Sequence, residues 1–275
     1  MHTVETPGAS LRYSRSGNGP PVLLIQGVGV AGNGWRPQVD GLGGQFTLVS
    51  FDNRGIGASV NRSGRMTIDD MAADALAILD AEGIDRAHVA GHSMGGVIAQ
   101  ALALRAPARV KSLALLCTFV RGKDGSKVTM PMLATALRMR IGTRAMRRNA
   151  FLELIMPQRY LQQIDRPALA AQLEPLFGHD LAEQPPVVMK QLSAMSKFDA
   201  GPRLRELGTI PTLVVSATED RLASLATGRA LAGAIPGAKY VEIPDSGHGL
   251  PIHRPAETNA LLADHWTQAE SARAR

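Results

Sequence analysis

Ala87-His88-Val89-Ala90-Gly91-His92-Ser93-Met94-Gly95 is the stretch on which the reading of this chain turns. Its first four residues read as a strand. A helix starts at Met94 and continues from Val97 to Leu104, ending before Pro107. Between them lies G-x-S-x-G, which specifies a tight strand-to-helix turn with the serine in a strained backbone conformation. Glycines two positions to either side leave room for neighbouring elements to pack closely. A serine of purely structural use in a turn is the plainer alternative. The strand before it and the helix after it favour a nucleophile.

Outward from this turn the chain alternates strands and helices. Toward the N-terminus, Leu11 to Arg15, Val22 to Ile25 and Phe46 to Phe51 read as strands, with a glycine-rich loop from Gly27 to Gly34. Val22-Leu23-Leu24-Ile25 is continuously apolar, as a strand buried on both faces requires. Thr67 caps a helix that carries Asp69 and Asp70 in its first turn, where carboxylates suit the helix dipole, and Gly83 stops it. Toward the C-terminus, Leu113 to Cys117, Thr212 to Ser216 and Lys239 to Ile243 read as strands. Helices follow at Leu222 to Ala234 and Glu257 to Trp266, and the tail from Ala269 to Arg275 is expected to fray. This rhythm predicts an α/β protein with a mostly parallel central sheet and helices on both faces.

The rhythm breaks between Phe119 and Leu207, where the chain is rich in Met, Leu, Arg and Pro and reads as helical. The expectation is a core formed by residues 1–118 and 208–275, with residues 119–207 inserted late in the sheet as a helical cap over the ligand crevice. Met130, Met132, Leu133, Leu137, Met139, Met146, Leu152, Leu154 and Met156 would line an adaptable apolar pocket or simply pack the helices.

A serine hydroxyl needs a base to become a useful nucleophile. His248 sits in Ser246-Gly247-His248-Gly249, directly after the last strand and its turn, flanked by small residues that let the ring approach a neighbouring site. The imidazole needs a carboxylate to orient and support it. Asp220, after the strand ending at Ser216, supplies one; Glu219 is its adjacent competitor, and Asp245 is too local to His248 for the role.

Four stretches taken together carry a family resemblance: Gln26-Gly27-Val28-Gly29, Asp52-Asn53-Arg54-Gly55-Ile56-Gly57-Ala58-Ser59, Gly91 to Gly95, and Gly247-His248. The chain resembles the α/β-hydrolase superfamily over nearly its whole length. The resemblance implies the α/β-hydrolase fold, the catalytic set Ser93, Asp220 and His248, and an oxyanion hole formed by the backbone N–H groups of Val28 and Met94. The family most often has histidine where this chain has Gln26. Asp52 and Arg54 are read as holding their own loop by hydrogen bonds and a salt bridge, His92 as lying outside the catalytic set, His179 as a surface residue, and Trp35 as packing the first helix onto the sheet.

Composition narrows the remaining classes. The 275 residues are 45% hydrophobic and 20% charged, ordinary for a globular protein, and the single Cys117 lies in an apolar run as a small buried hydrophobe. The net charge of +6 is mostly scattered. Its densest set, Arg138, Arg140, Arg144, Arg147 and Arg148, reads as a solvated helix face or as a surface that attracts anions. No aromatic residues interleave with it, which argues against nucleic acid as a partner. No apolar run suits a membrane span and Met1 to Pro7 does not read as a secretory leader, so a cytoplasmic location is expected. Neither a dinucleotide fingerprint nor metal-ligand spacing is complete, so no cofactor and no metal are expected. The partner is a small-molecule substrate. The expected reaction is cleavage of a small to medium, partly apolar carboxylic ester through an acyl-enzyme. Lactone, thioester and carbon–carbon bond cleavage remain open, as do a lyase, a cofactor-free oxygenase and a slow-turnover ligand receptor on the same fold.

Overall fold

The computed structural model describes residues 1–64, 66–124 and 130–273, the side chains of Pro131, Met132 and Arg273 excepted. Nine strands among them form one sheet: β1 (His2–Thr6), β2 (Ala9–Ser16), β3 (Pro21–Ile25), β4 (Thr47–Phe51), β5 (Val60–Asn61), β6 (Ala87–His92), β7 (Val110–Leu116), β8 (Thr212–Ala217) and β9 (Lys239–Ile243). The spatial order is β1-β2-β4-β3-β6-β7-β8-β9, with β5 paired to β2. β1, β2 and β5 pair antiparallel, and every pair from β4 to β9 is parallel.

Parallel neighbours need crossover connections, and helices supply them. α1 (Arg36–Leu42), α2 (Ile68–Ala81), α3 (Met94–Arg105), α9 (Leu225–Ala234), α10 (Leu250–His253) and α11 (Pro255–Arg273) belong to the sheet's surroundings. α4 (Met130–Arg138), α5 (Arg144–Ile155), α6 (Gln158–Gln162), α7 (Arg166–Phe177) and α8 (Val188–Ser196) all lie between β7 and β8. The apolar runs read from sequence are buried on both faces: Val22 to Ile25 and Leu113 to Leu116 have no solvent exposure. Thr67 caps α2 in a reciprocal box with Asp70, each side chain meeting the other's backbone N–H.

The packing divides the segment between β7 and β8. Phe151, Leu152, Ile155, Leu169, Leu173 and Phe177 belong to a second apolar cluster, in which Phe151 and Phe177 meet edge to face at 5.3 Å. Phe119, Met195, Ala200, Leu204 and Leu207 pack instead into the core of the sheet. The expected boundaries at 119 and 207 fall among these sheet-packed residues.

Strands β1 and β5 were not anticipated; exposed polar residues dominate β1, so its pattern carries little signal. The expected frayed tail is ordered as far as Arg273. Glu270 receives the Lys111 ammonium at 2.7 Å, and Ala269 is buried. Ala274 and Arg275 lie outside the described residues, as do 125–129 of the expected cap. Among the described residues no helix is long and apolar enough to cross a membrane.

Gly27 to Gly29 follow β3, Ser93 follows β6, Asp220 follows β8 and His248 follows β9. All four therefore leave the carboxyl ends of parallel strands. β3 lies between β4 and β6, so the sheet reverses its order there, which is where open α/β sheets form a crevice. The loop after β4 is braced from below. The Asp52 carboxylate accepts N–H bonds from Gly32 at 2.8 Å and Ala58 at 3.0 Å. The Arg54 guanidinium meets the two oxygens of Asp74 at 2.6 and 2.7 Å, with both side chains about 95% buried. Removing one partner of such a pair strands the other charge in the interior. Arg54→Met is expected to lower unfolding free energy by about 3–5 kcal/mol, and Arg54→Met/Asp74→Leu to recover most of it. Urea unfolding checks this; equal loss in the single and double variants would contradict it.

Candidate active site

Ser93 has φ 55° and ψ −121°, a region that L-residues seldom enter. The flanking glycines make this turn possible. A Cβ at Gly91 would overlap the Gly95 carbonyl, and one at Gly95 would overlap the Ile25 carbonyl at the end of β3. The turn is held from β7: Ser93 N–H donates to Leu116 O at 2.9 Å, and Thr118 Oγ1 donates to Ser93 O at 2.7 Å. The serine side chain is thereby aimed out of the crevice floor.

His248 Nε2 stands 2.9 Å from Ser93 Oγ, and its Nδ1 stands 2.8 Å from Asp220 Oδ2. With Nδ1–H donating to the carboxylate, Nε2 is left to accept the serine proton. Asp220 Oδ1 accepts the N–H groups of Leu222 and Ala223 at 2.7 and 2.8 Å. Burial alone would raise the Asp220 carboxyl, but the His248 ring and these two N–H groups outweigh it. The carboxyl sits below its usual range and stays ionised. Glu219 and Asp245, the other candidate carboxylates, are exposed, and the two ring nitrogens of His248 are taken by Asp220 and Ser93.

His92 is the buried neighbour of this set. Its Nε2 donates to the His248 carbonyl at 2.7 Å, and the two rings lie 4.9 Å apart. Burial, aided by the nearby His248, depresses its pKa to about 3, so it is neutral and serves as a brace for the histidine loop. The donor atoms of His92, Cys117 and His248 also converge within 4.8 Å of one another. Chain spacing gave no hint of that. Three of the four ring nitrogens there already have partners: His92 Nε2 binds a carbonyl, and both His248 nitrogens are engaged. Burial pushes the Cys117 thiol up, away from the thiolate a metal requires.

The loop from Gln26 to Gly29 faces Ser93, since a Cβ on Gly27 would lie 3.1 Å from Ser93 Cβ. Among the described residues no acceptor takes the N–H of Val28 or of Met94. Gln26, where histidine is usual, turns its own side-chain oxygen onto Gly27 N–H at 3.1 Å, and Asn53 Nδ2 holds the Gln26 carbonyl at 2.9 Å. Gly29 is gripped from the segment between β7 and β8: its N–H donates to Gln191 Oε1 and its carbonyl accepts from His179 Nε2, both at 2.9 Å. His179 is thus a half-buried bridge to this loop, a correction to its reading as a surface residue. Gln191, fully buried, gave no signal in sequence because its partner lies 162 residues away.

Over these groups lies a cavity of about 820 Å³. Gln26, Val28, Ser93 and His248 form its floor; Phe119, Met139, Phe151, Leu154, Val188 and Met195 are among its walls. Of the methionines and leucines expected to line a pocket or pack helices, Leu133, Met139 and Leu154 do line it. Met130, Leu137 and Met146 are exposed, and Met132 falls outside the described side chains.

Comparison with known proteins agrees with this architecture. The model of the alpha/beta hydrolase fold matches residues 20–255. The chain belongs to this family and is an enzyme, a hydrolase. It is 31% identical to a protein of Azorhizobium caulinodans provisionally named carbamate hydrolase RutD, over 92% of this chain and 94% of that one. It superposes on the enol-lactonase from Burkholderia xenovorans with a TM-score of 0.81 and 30% identity, covering 97% and 100% of the two chains. A thermophilic esterase from Thermogutta terrifontis gives a TM-score of 0.79 at 25% identity, with 97% of each chain covered.

Gln191→Leu removes the acceptor that fixes Gly29 and leaves a buried N–H unpaired. The expected result is a kcat on p-nitrophenyl esters lower by about ten-fold, with KM changed far less, because the loop beside Ser93 loses its fixed position. Steady-state kinetics checks this; an unchanged kcat in a folded variant would contradict it.

Proposed function

We propose that the chain is a serine hydrolase that cleaves a carboxylic ester of small to medium, partly apolar character through an acyl-enzyme on Ser93. The observation that carries this reading is the hydrogen-bonded line Ser93 Oγ, His248, Asp220, with spacings of 2.9 and 2.8 Å, at the floor of a mainly apolar cavity. Ser93 Oγ attacks the acyl carbon while its proton passes to His248 Nε2. The Val28 and Met94 N–H groups receive the oxyanion; one such donor is worth about 2.7–4 kcal/mol of barrier. Collapse of the adduct breaks the bond to the alcohol oxygen, which leaves with the proton from His248. A water, deprotonated by the same nitrogen, then attacks the acyl carbon, and the acid departs from Ser93. Asp220 stays ionised throughout and supports the imidazolium.

On this reading α4 to α8 act as a cap: they roof the cavity and, through Gln191 and His179, fix the oxyanion loop. A cyclic ester is the second reading. The likeness to an enol-lactonase favours it, and the chemistry is the same with the leaving alkoxide still tethered.

The test is a p-nitrophenyl ester series of increasing acyl length, with wild type beside Ser93→Ala. Wild type should turn over, with Ser93→Ala slower by about 10³-fold or more. The length profile then sizes the acyl pocket. Equal rates in the two proteins would defeat the proposal.

A further inference from the structure

The arginines between β7 and β8 do not form one solvated face. Arg138 and Arg166 both meet Glu153, at 2.8 and 3.2 Å, and Arg144 and Arg148 both meet Asp180. Arg140 and Arg147 differ from these. Both line the cavity above Ser93, and among the described residues neither meets a carboxylate. Arg147 is half-buried and held in place by neutral acceptors: its Nε donates to Ala182 O at 3.1 Å and its Nη1 to Gly142 O at 3.2 Å. Arg140 is exposed, and its Nη2 lies 3.4 Å from the thioether of Met189, a weak acceptor. Both arginines therefore line the cavity with no carboxylate paired to them among the described residues.

Glu183 lines the same cavity, so two cations and one carboxylate leave a net of one positive charge. That balance suits a monoanion better than a doubly charged phosphate. The walls are otherwise mainly apolar, so a ligand that reaches both Ser93 and the arginines must carry an apolar chain between its two polar groups. Guanidinium groups bind carboxylates through planar, charge-assisted hydrogen bonds, and a group already oriented by its own neighbours loses little freedom on binding.

We propose that Arg140 and Arg147 form a carboxylate-binding subsite, so that the preferred substrate is an ester whose apolar chain ends in a free carboxylate. The half-ester of an aliphatic dicarboxylic acid is the simplest such molecule. The proposal rests on the Ser93 reading for which end is cleaved; the binding of the carboxylate does not depend on cleavage. Met139 and Leu133 line the same cavity as Ser93 and the two arginines and would offer the apolar chain its wall.

The experiment uses the monomethyl and dimethyl esters of hexanedioic, octanedioic and decanedioic acid, so that no fixed reach is assumed. Calorimetric binding is measured on Ser93→Ala, which removes the nucleophile, and on the same protein with Arg140→Gln and Arg147→Gln added. At the chain length that spans the cavity, the monomethyl ester should bind about ten-fold tighter than the dimethyl ester. The ratio should shrink with added salt and fall to about one in the arginine variant, whose thermal transition verifies folding. Equal binding of the two esters at every length, or a preference that survives loss of both arginines, would overturn the subsite. Turnover by wild type is followed in parallel. Tight, arginine-dependent binding without cleavage would leave the subsite standing and defeat the Ser93 reading. Cleavage of both esters with no preference would do the reverse.

Discussion

The backbone of Ser93 is the constraint from which the rest follows. A residue at φ 55° and ψ −121° persists only where its surroundings over-determine it. Here they do so from three sides. The carbonyls of Ile25 and Gly95 leave no room for side chains at Gly95 and Gly91. The end of β7 fixes the turn through Leu116 and Thr118. The helix α3 that starts at Met94 is buried along nearly all its length, so the turn cannot relax without displacing the core. Strain stored there projects the serine hydroxyl above the sheet, within hydrogen-bond reach of a histidine 155 residues away.

Burial and polarity are balanced tightly around that hydroxyl. Asp220 is kept charged in the interior because every oxygen is used: one by the imidazole, the other by two backbone N–H groups. His92 is kept neutral by the same burial and holds the histidine loop by its main chain. The segment from α4 to α8 is more than a roof, since it grips Gly29 from both sides. Gln191, on α8, thus holds the residue next to Val28.

Much of this is legible in the sequence. The parallel sheet came from apolar runs alternating with helical periods, and the positions of Ser93, Asp220 and His248 came from turns that follow strands. Each of those signals is local: a glycine pattern, a capped helix, a small-residue loop. The choice of Asp220 over Glu219 was less secure in sequence, because adjacent carboxylates differ only in which one the turn buries. What stayed hidden depends on distant pairing. Gln191 and His179 are ordinary residues until the chain folds Gly29 between them, and the convergence of His92 with Cys117 has no counterpart in spacing. The arginines show the same limit. Five basic residues in eleven positions read as one surface, yet the fold neutralises three of them and turns the other two toward the cavity. Strand β1 escaped notice for a related reason: an exposed edge strand needs no apolar pattern.

The central claim is that Ser93 is an activated nucleophile, and covalent labelling tests it most directly. A fluorophosphonate requires a nucleophilic serine supported by a base. Incubation with wild type should add one phosphonyl group per chain, located at Ser93 by peptide mass spectrometry. His248→Gln should slow that labelling by orders of magnitude while remaining folded. Absence of adduct at Ser93, or labelling at the same rate without His248, would contradict the account.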